Sequence, residues 1–239
     1  MIGKGLSSHK KIPKMLDLLK RVLVIAPHPD DEVLGCGGTI KKLTDSGIGV
    51  TVLVASRGKE TLYSEERIIN VRKQALEAHR ILGAGQTVFF DYPAPELDLV
   101  SISELSSSIS KLITKEKPDT VFLPHHGDIH HDHQAIFNAG LVASRPVNNC
   151  SVKYVFSYET LSETEWAPPF GADVFIPQMF VNITDEFSYK IGAMRCYTSQ
   201  IRNFPNPRSE KSIEALANYR GSTVGIEYAE AFMVIRVIH

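Results

Sequence analysis

The strongest constraint on the fold is a pair of uninterrupted apolar runs, Val22-Leu23-Val24-Ile25-Ala26 and Val50-Thr51-Val52-Leu53-Val54. A strand with one wet face alternates apolar and polar residues. These runs do not alternate, so each needs cover on both faces, as in a parallel sheet sandwiched between helices. Between them Val33, Leu34, Thr39, Ile40 and Leu43 recur with helical spacing, and Ser46-Gly47 closes the stretch. This is one βαβ unit, and the alternation continues. Arg67 to Leu82 carries a helical apolar face stopped by Gly83, Thr87 to Phe90 is a third strand, Ile102 to Ile113 a helix, and Thr120 to Leu123 a fourth strand. A helix from about Gln134 to Ser144 follows.

The expected fold is therefore α/β: a Rossmann-like, mostly parallel sheet in the order 3-2-1-4 and onward, with helices on both faces. In that order the first and fourth strands are neighbours at the topological switch point, where open α/β sheets bind ligands beyond the carboxyl ends of their strands. The segments after those two strands, Pro27 to Glu32 and His125 to His133, should face each other across one crevice. Beyond Cys150 the pattern loosens: a strand near Tyr154 to Ser157, a Pro-rich loop at Trp166 to Phe170, helices at Glu186 to Ser199 and Ser209 to Arg220, and a last strand around Phe232 to Val237. With 239 residues the chain suits one domain over 1–239, with 1–20 as an N-terminal extension and 150–239 shaping the pocket.

Lys plus Arg number 26 against 27 Asp plus Glu, so no basic footprint supports a nucleic-acid partner. Apolar runs are strand-sized, well below the roughly 20 residues of a membrane span, and no transmembrane segment is expected. Lys4, Lys10, Lys11 and Lys14 precede no apolar signal core. Cys36, Cys150 and Cys196 are odd in number and far apart, which excludes a disulfide framework and points to a reducing, cytoplasmic location. Met15-Leu16-Leu18-Leu19 reads as a helix packed on the domain or docked on a membrane surface. Whether the chain forms a homo-oligomer stays open.

His125, His126, His130, His131 and His133 fall within nine consecutive residues, where chance places about a third of one histidine. His28, Asp30 and Asp31 crowd the end of the first strand. An aspartate there could cap the helix, which accounts for one carboxylate and leaves the other and His28 unexplained. Two histidines and a carboxylate with open positions form a catalytic zinc set, with ferrous iron a second occupant. His28 and Asp31 on one turn, with His133 from across the crevice, meet that requirement. Asp30 then stands beside the metal as a candidate general base, and His130, held by Asp132, as a cationic oxyanion stabiliser, with either Asp30 or His130 delivering the proton to the leaving amine. Gly35-Cys36-Gly37-Gly38 lies where a dinucleotide fingerprint would, but position 40 is Ile, no acidic residue ends the second strand, and a nicotinamide is not expected. Those glycines are expected to let the helix approach the metal loop closely.

The stretch Ala26-Pro27-His28-Pro29-Asp30-Asp31-Glu32, followed by Gly35-Cys36-Gly37-Gly38-Thr39 and by His130-x-Asp132-His133, resembles the PIG-L or LmbE-like family of zinc-dependent N-acetyl-sugar deacetylases. The similarity extends through Arg72 and Gln74 to Leu82-Gly83, then to Tyr197-x-Ser199-Gln200 and Gly225-x-x-Tyr228-Ala229-Glu230-x-Phe232. It implies zinc on His28, Asp31 and His133, hydrolysis of an acetamide on a glucosamine-type conjugate, and contact of Arg72 with substrate or released acetate. Several relatives place Gly-Tyr-Gly before the downstream histidine, where Gly127-Asp128-Ile129 stands here. Asp128 is then a candidate for binding sugar hydroxyls or for ending the loop, and Tyr197 for replacing the missing tyrosine or for packing. The alternatives are a hydrolase of another amide or ester on the same scaffold, and a non-catalytic sugar- or metal-binding protein.

Overall fold

The computed structural model describes residues 15–239; the lysine-bearing stretch from Lys4 to Lys14 lies outside them. Seven strands form one sheet in the order β3-β2-β1-β4-β5-β7-β6. They are β1 (Arg21–Ala26), β2 (Gly49–Gly58), β3 (Gln86–Ala94), β4 (Thr120–Pro124), β5 (Tyr154–Tyr158), β6 (Met179–Asn182) and β7 (Ala229–Val237). The helices are α1 (Asp31–Asp45), α2 (Glu65–Leu82), α3 (Ile102–Glu116), α4 (His131–Ala143), α5 (Phe187–Cys196) and α6 (Glu210–Ser222). The strands from β1 to β5 pair in parallel, and β7 runs antiparallel to both β5 and β6.

The unalternating runs are explained by two cores. Val22 and Val24 of β1 point into one, with Val33 and Ile40 of α1, Ala75 and Leu82 of α2, and Met194 of α5. Leu23 and Ile25 point into the other, with Leu105 and Ile109 of α3 and Ile136 and Phe137 of α4. Both faces of β1 are thus dry, and its register against β2 and β4 brings the ends of β1 and β4 side by side. Met15 and Leu16, in a short 3-10 turn, pack on the first core.

Four local differences from the sequence-based boundaries matter. First, β2 and β3 run several residues past their apolar stretches, carrying Ser56, Arg57 and Gly58 alongside Tyr92, Pro93 and Ala94. Second, α4 starts at His131 because the His130 side chain caps it, accepting from the Asp132 amide, so Asp132 and His133 lie in a first helical turn and not in a loop. Third, α5 ends at Cys196, leaving Tyr197 to Gln200 outside the helix. Fourth, β6, only four residues long, was not expected at all.

The glycines of α1 also serve a different purpose from the expected one. A Cβ on Gly35 would lie 2.2 Å from the Tyr158 ring, and one on Gly38 would lie 2.7 Å from Ile183. They admit β5 and the segment after β6, not the metal loop. Within α1 the amides of Gly38 and Thr39 donate to Glu230 at 2.9 and 2.7 Å, and the Leu34 carbonyl accepts from Lys190 Nζ at 2.7 Å. Lys190 and Glu230 pair at 2.6 Å, nearly fully buried, so the last third is locked onto the first helix by a satisfied polar network. Gly35→Ala should therefore overpack the α1–β5 contact and lower the urea midpoint by an amount equivalent to about 1–3 kcal/mol with an unchanged m value. An unshifted midpoint would mean that the contact yields freely.

Candidate metal centre and cleft

The loop after β1 turns into α1 through Asp30, whose backbone is left-handed with φ of 112°. A non-glycine residue there costs about 1–3 kcal/mol. The turn is held from several sides. The Asp30 carbonyl accepts from the Val33 and Leu34 amides at 3.0 and 2.9 Å, and its own amide donates to Glu32 Oε2 at 3.2 Å. Glu32 is itself fixed in the core, where Oε1 accepts from His79 Nε2 at 3.0 Å and from the Tyr197 hydroxyl at 2.5 Å. His79 Nδ1 meets Thr87 Oγ1 at 2.7 Å.

This turn aims Asp31 at two histidines. Asp31 Oδ2 lies 3.2 Å from His28 Nδ1 and 3.2 Å from His133 Nε2, which arrives from α4 across the crevice. Asp31 and His133 are fully buried. Burial opposes charge on all three groups, but mutual attraction wins. Hydrogen bonds to Asp132 and Asp31 raise His28 to about 9, Asp31 and Asp128 raise His133 well above the usual imidazole range, and His133 holds Asp31 well below the usual carboxylate range. The pocket is built to hold positive charge.

Each histidine is gripped at its far nitrogen by another buried carboxylate. Asp132 Oδ2 meets His28 Nε2 at 2.9 Å and Asp128 Oδ2 meets His133 Nδ1 at 2.8 Å. This is how a protein orients imidazole ligands toward a metal. His28, Asp31 and His133 offer ligand atoms within 4.8 Å of one another, and the buried His133 Nε2 and Asp31 Oδ1 have no hydrogen-bond partner. A buried polar atom left unpaired is costly, and a cation would satisfy both. A second trio, His28, His130 and Asp132, is equally compact. Most of its polar atoms are already engaged: Asp132 Oδ2 pairs with His28 Nε2 at 2.9 Å, Asp132 Oδ1 accepts from the Leu97 amide at 2.8 Å, and His130 Nδ1 accepts from the Asp132 amide at 3.1 Å, which leaves His130 Nε2 alone without a hydrogen bond among the described residues. The first trio is the one that fits a metal.

Several residues stand apart from their expected roles. The Asp132 carboxylate holds His28, not His130, because the start of α4 turns it toward β1. His130 is oriented by a backbone amide instead. Since Nδ1 accepts that hydrogen bond, the proton of the neutral ring resides on Nε2. Burial and then the His28 charge lower the His130 pKa to about 4, the reverse of the cationic imidazole expected from a carboxylate partner. Asp128, fully buried between His133 and Thr164, cannot reach sugar hydroxyls. Tyr197, also fully buried, supports Glu32 and faces no cleft. Of the remaining histidines, His125 binds the Asp173 carbonyl at 2.8 Å, His126 sits 3.5 Å from the Asp173 carboxylate, and His131 is largely exposed.

A cleft of about 320 Å³ opens onto His28, Asp30 and His130, with Arg72 on its wall. Its far wall comes from the last third of the chain: Glu163, Ser199, Gln200 and Arg208. Arg208, which the sequence pattern did not single out, donates from Nη1 to Asp30 Oδ2 and to Gln200 Oε1, each at 3.1 Å, and from Nε to Ser162 Oγ at 2.8 Å. Burial raises the Asp30 pKa against the pull of Arg208, with Asp31 and Glu32 adding to the rise, to about 8. The carboxyl is thus poised near neutrality. Arg208 also lies 3.5 Å from Glu163, which burial raises to about 7.

Fold and pocket define a Rossmann-like α/β protein with a histidine–carboxylate site at the switch between β1 and β4. Residues 23–144 match the family described as PIG-L: GlcNAc-PI de-N-acetylase, and the chain belongs to that family. It is 29% identical to the diacetylchitobiose deacetylase of Thermococcus kodakarensis, over 94% of this chain and 86% of that protein. It is 28% identical to a probable N-acetyl-alpha-D-glucosaminyl L-malate deacetylase 2 of Bacillus cereus, over 76% and 84% respectively. The solved N,N'-diacetylchitobiose deacetylase of Pyrococcus horikoshii superposes with a TM-score of 0.73 at 27% identity, covering 92% of this chain and 85% of that one.

If Asp128 orients His133 for a metal, Asp128→Asn should weaken zinc binding about 10- to 100-fold in a competition titration with a chromophoric chelator. His131→Ala should leave the affinity where it was. Equal affinities for Asp128→Asn and the parent protein would remove Asp128 from this role.

Proposed function

We propose that this protein is a metal-dependent hydrolase that removes the acetyl group from an N-acetylated amino sugar, a small N-acetylglucosamine-type conjugate. The observation that carries this reading is Asp30: a buried carboxyl in the cleft, next to the metal-fitting trio but outside it, and held by Arg208. The deacetylase activity of the relatives supports the same reaction class. Three free thiols, Cys36, Cys150 and Cys196, suit work in a reducing cytoplasm.

His28, Asp31 and His133 would hold the ion, zinc by the donor set with ferrous iron the second candidate. When bound, it supplies Lewis acidity toward the acetyl oxygen and lowers the pKa of water. Asp30 takes a proton from the attacking water as the hydroxyl oxygen bonds to the acetyl carbon. His130, neutral with its proton on Nε2, donates a hydrogen bond to the oxygen on which charge develops. When the carbon–nitrogen bond breaks, Asp30 returns its proton to the departing amine, leaving acetate and the free amino sugar. Arg208 stabilises the ionised form of Asp30 and fixes its direction, and Arg72 lies along the cleft wall where acetate or substrate would pass.

An acetate-release screen over N-acetylglucosamine conjugates, with zinc and after chelation, tests this reading; metal-dependent release is expected. A full panel without acetate release would overturn it. Asp30→Asn should retain zinc by elemental analysis and lose about 10²- to 10⁴-fold in kcat. His133→Ala should lose both metal and turnover.

A further inference from the structure

Asp30 stands where a helix cap would, yet its carboxyl does not cap α1. It makes no side-chain bond to the first-turn amides and reaches Arg208 instead. An aspartate in this position ordinarily folds its side chain back onto those amides. Keeping the carboxyl in the cleft therefore depends on how the Asp30 backbone is held at its φ of 112°, because a strained peptide persists only where its surroundings fix it. The Asp30 amide has one hydrogen bond among the described residues, to Glu32 Oε2 at 3.2 Å. Whatever holds Glu32 thus bears on where the Asp30 carboxyl points.

Glu32 is fully buried, and two donors from different elements share its other oxygen. Tyr197, just past α5, donates its hydroxyl to Oε1 at 2.5 Å, and His79, in the last turn of α2, meets the same atom through Nε2 at 3.0 Å. One donor fixes the place of a carboxyl oxygen and leaves the group free to turn about it. Two donors, one on each lone pair, also fix the plane of the carboxyl, since donors prefer to lie in that plane. Oε2 is then directed at the Asp30 amide. His79 is itself 2% exposed and held from behind, with Nδ1 at 2.7 Å from Thr87 Oγ1 of β3. The Thr87 hydroxyl donates to Nδ1, which leaves the ring proton on Nε2 facing Glu32. The path Thr87, His79, Glu32, Asp30 therefore runs from the outermost strand through α2 to the loop after β1, and its first three members do not line the cleft.

We propose that His79 is a positioning residue for the base: through Glu32 it fixes the Asp30 peptide and so keeps the Asp30 carboxyl out of the helix cap and in the cleft. This rests on the deacetylase reading above and adds to it a residue that touches neither substrate nor metal. His79 exchanges no proton with the substrate, and its contribution lies in geometry alone.

The test compares the parent protein with His79→Leu, His79→Gln and Thr87→Val, each loaded with zinc and checked for metal by elemental analysis. With the best substrate of the acetate-release panel, His79→Leu should lose about 10- to 100-fold in kcat, the scale of a small misplacement of a reacting group, with KM within about threefold of the parent and zinc retained. His79→Gln places an amide donor where Nε2 lay and should restore kcat to within about threefold of the parent. Thr87→Val keeps the imidazole and removes only the group that orients it, so a smaller loss of the same kind is expected, about fivefold, the worth of one hydrogen bond. It also decides the matter if His79→Leu does not fold. An unchanged kcat in both His79→Leu and Thr87→Val, a loss confined to KM, or a loss that His79→Gln does not restore would overturn the proposal. Amide hydrogen exchange gives a readout without turnover: His79→Leu should speed exchange at Asp30, Val33 and Leu34 and leave Ile40 and Leu43 as they were. Should no panel member release acetate, the deacetylase reading fails, and the exchange pattern still decides whether His79 holds the turn.

Discussion

Much of this molecule depends on keeping a buried cluster of acids from repelling itself apart. Asp30, Asp31, Glu32, Asp128 and Asp132 are at most 1% exposed and lie at the ends of two adjacent strands. Unpaired, each would carry a desolvation cost of several kcal/mol. The structure meets this cost by interleaving acids with histidines: Asp132 on His28, Asp31 between His28 and His133, and Asp128 on His133. Even so, Asp31 Oδ1 and His133 Nε2 stay buried without a hydrogen-bond partner, and both residues belong to the compact trio with His28. The histidines compensate the acids only by accepting extra protons. A divalent ion does the same with less reliance on pH, and that is the physical sense in which the sequence of the two loops asks for a metal.

The cluster can exist only where the sheet order makes β1 and β4 neighbours. A helix crossing over after β1 carries the chain to β2 and β3 on one side, and the return through α3 delivers β4 to the other side of β1. Both strands then end at the same edge, and each is followed by a helix start: Asp31 opens α1, and His130 caps α4. Placing His133 in the first turn of a helix and not in a loop gives its ring a fixed direction. Leu97, from the turn after β3, closes the arrangement by donating its amide to Asp132.

The β1–β4 adjacency and the trio were legible in the sequence because both rest on strong local patterns: unalternating strands and charged residues at their ends. Partner choice was less legible. Asp132 and Asp128 each lie near several histidines in sequence, and which one each grips depends on where α4 begins, a shift of three residues from the apolar periodicity. His130 caps the helix, and helix caps are usually read from Ser, Thr, Asp and Asn, so its capping role left no ordinary signal. Arg208 was illegible for a different reason. It lies in a Pro-punctuated segment without periodicity, and two of its partners, Asp30 and Ser162, come from distant parts of the chain. The glycines of α1 were conspicuous, but their packing partners, Tyr158 and Ile183, belong to the last third, where the pattern was loosest.

The strained turn at Asp30 ties these parts together. A left-handed backbone is tolerated by aspartate better than by most residues, and the Asp30 peptide is held by α1 on its carbonyl and by Glu32 on its amide. Those contacts set where the backbone sits, but not whether the carboxyl is ionised. Burial next to Asp31 and Glu32 favours the protonated carboxyl. Arg208 opposes that effect with a charge that cannot be titrated away, and it reaches Asp30 only because the loop before α6 folds back over the cleft, while Lys190 and Glu230 lock α5 and β7 to α1. The metal-fitting trio is thus built by β1, α1 and α4, whereas the ionisation of the base is governed by the last third. The same third also walls the cleft, so a change there alters the proton affinity of Asp30 and the shape of the substrate space together.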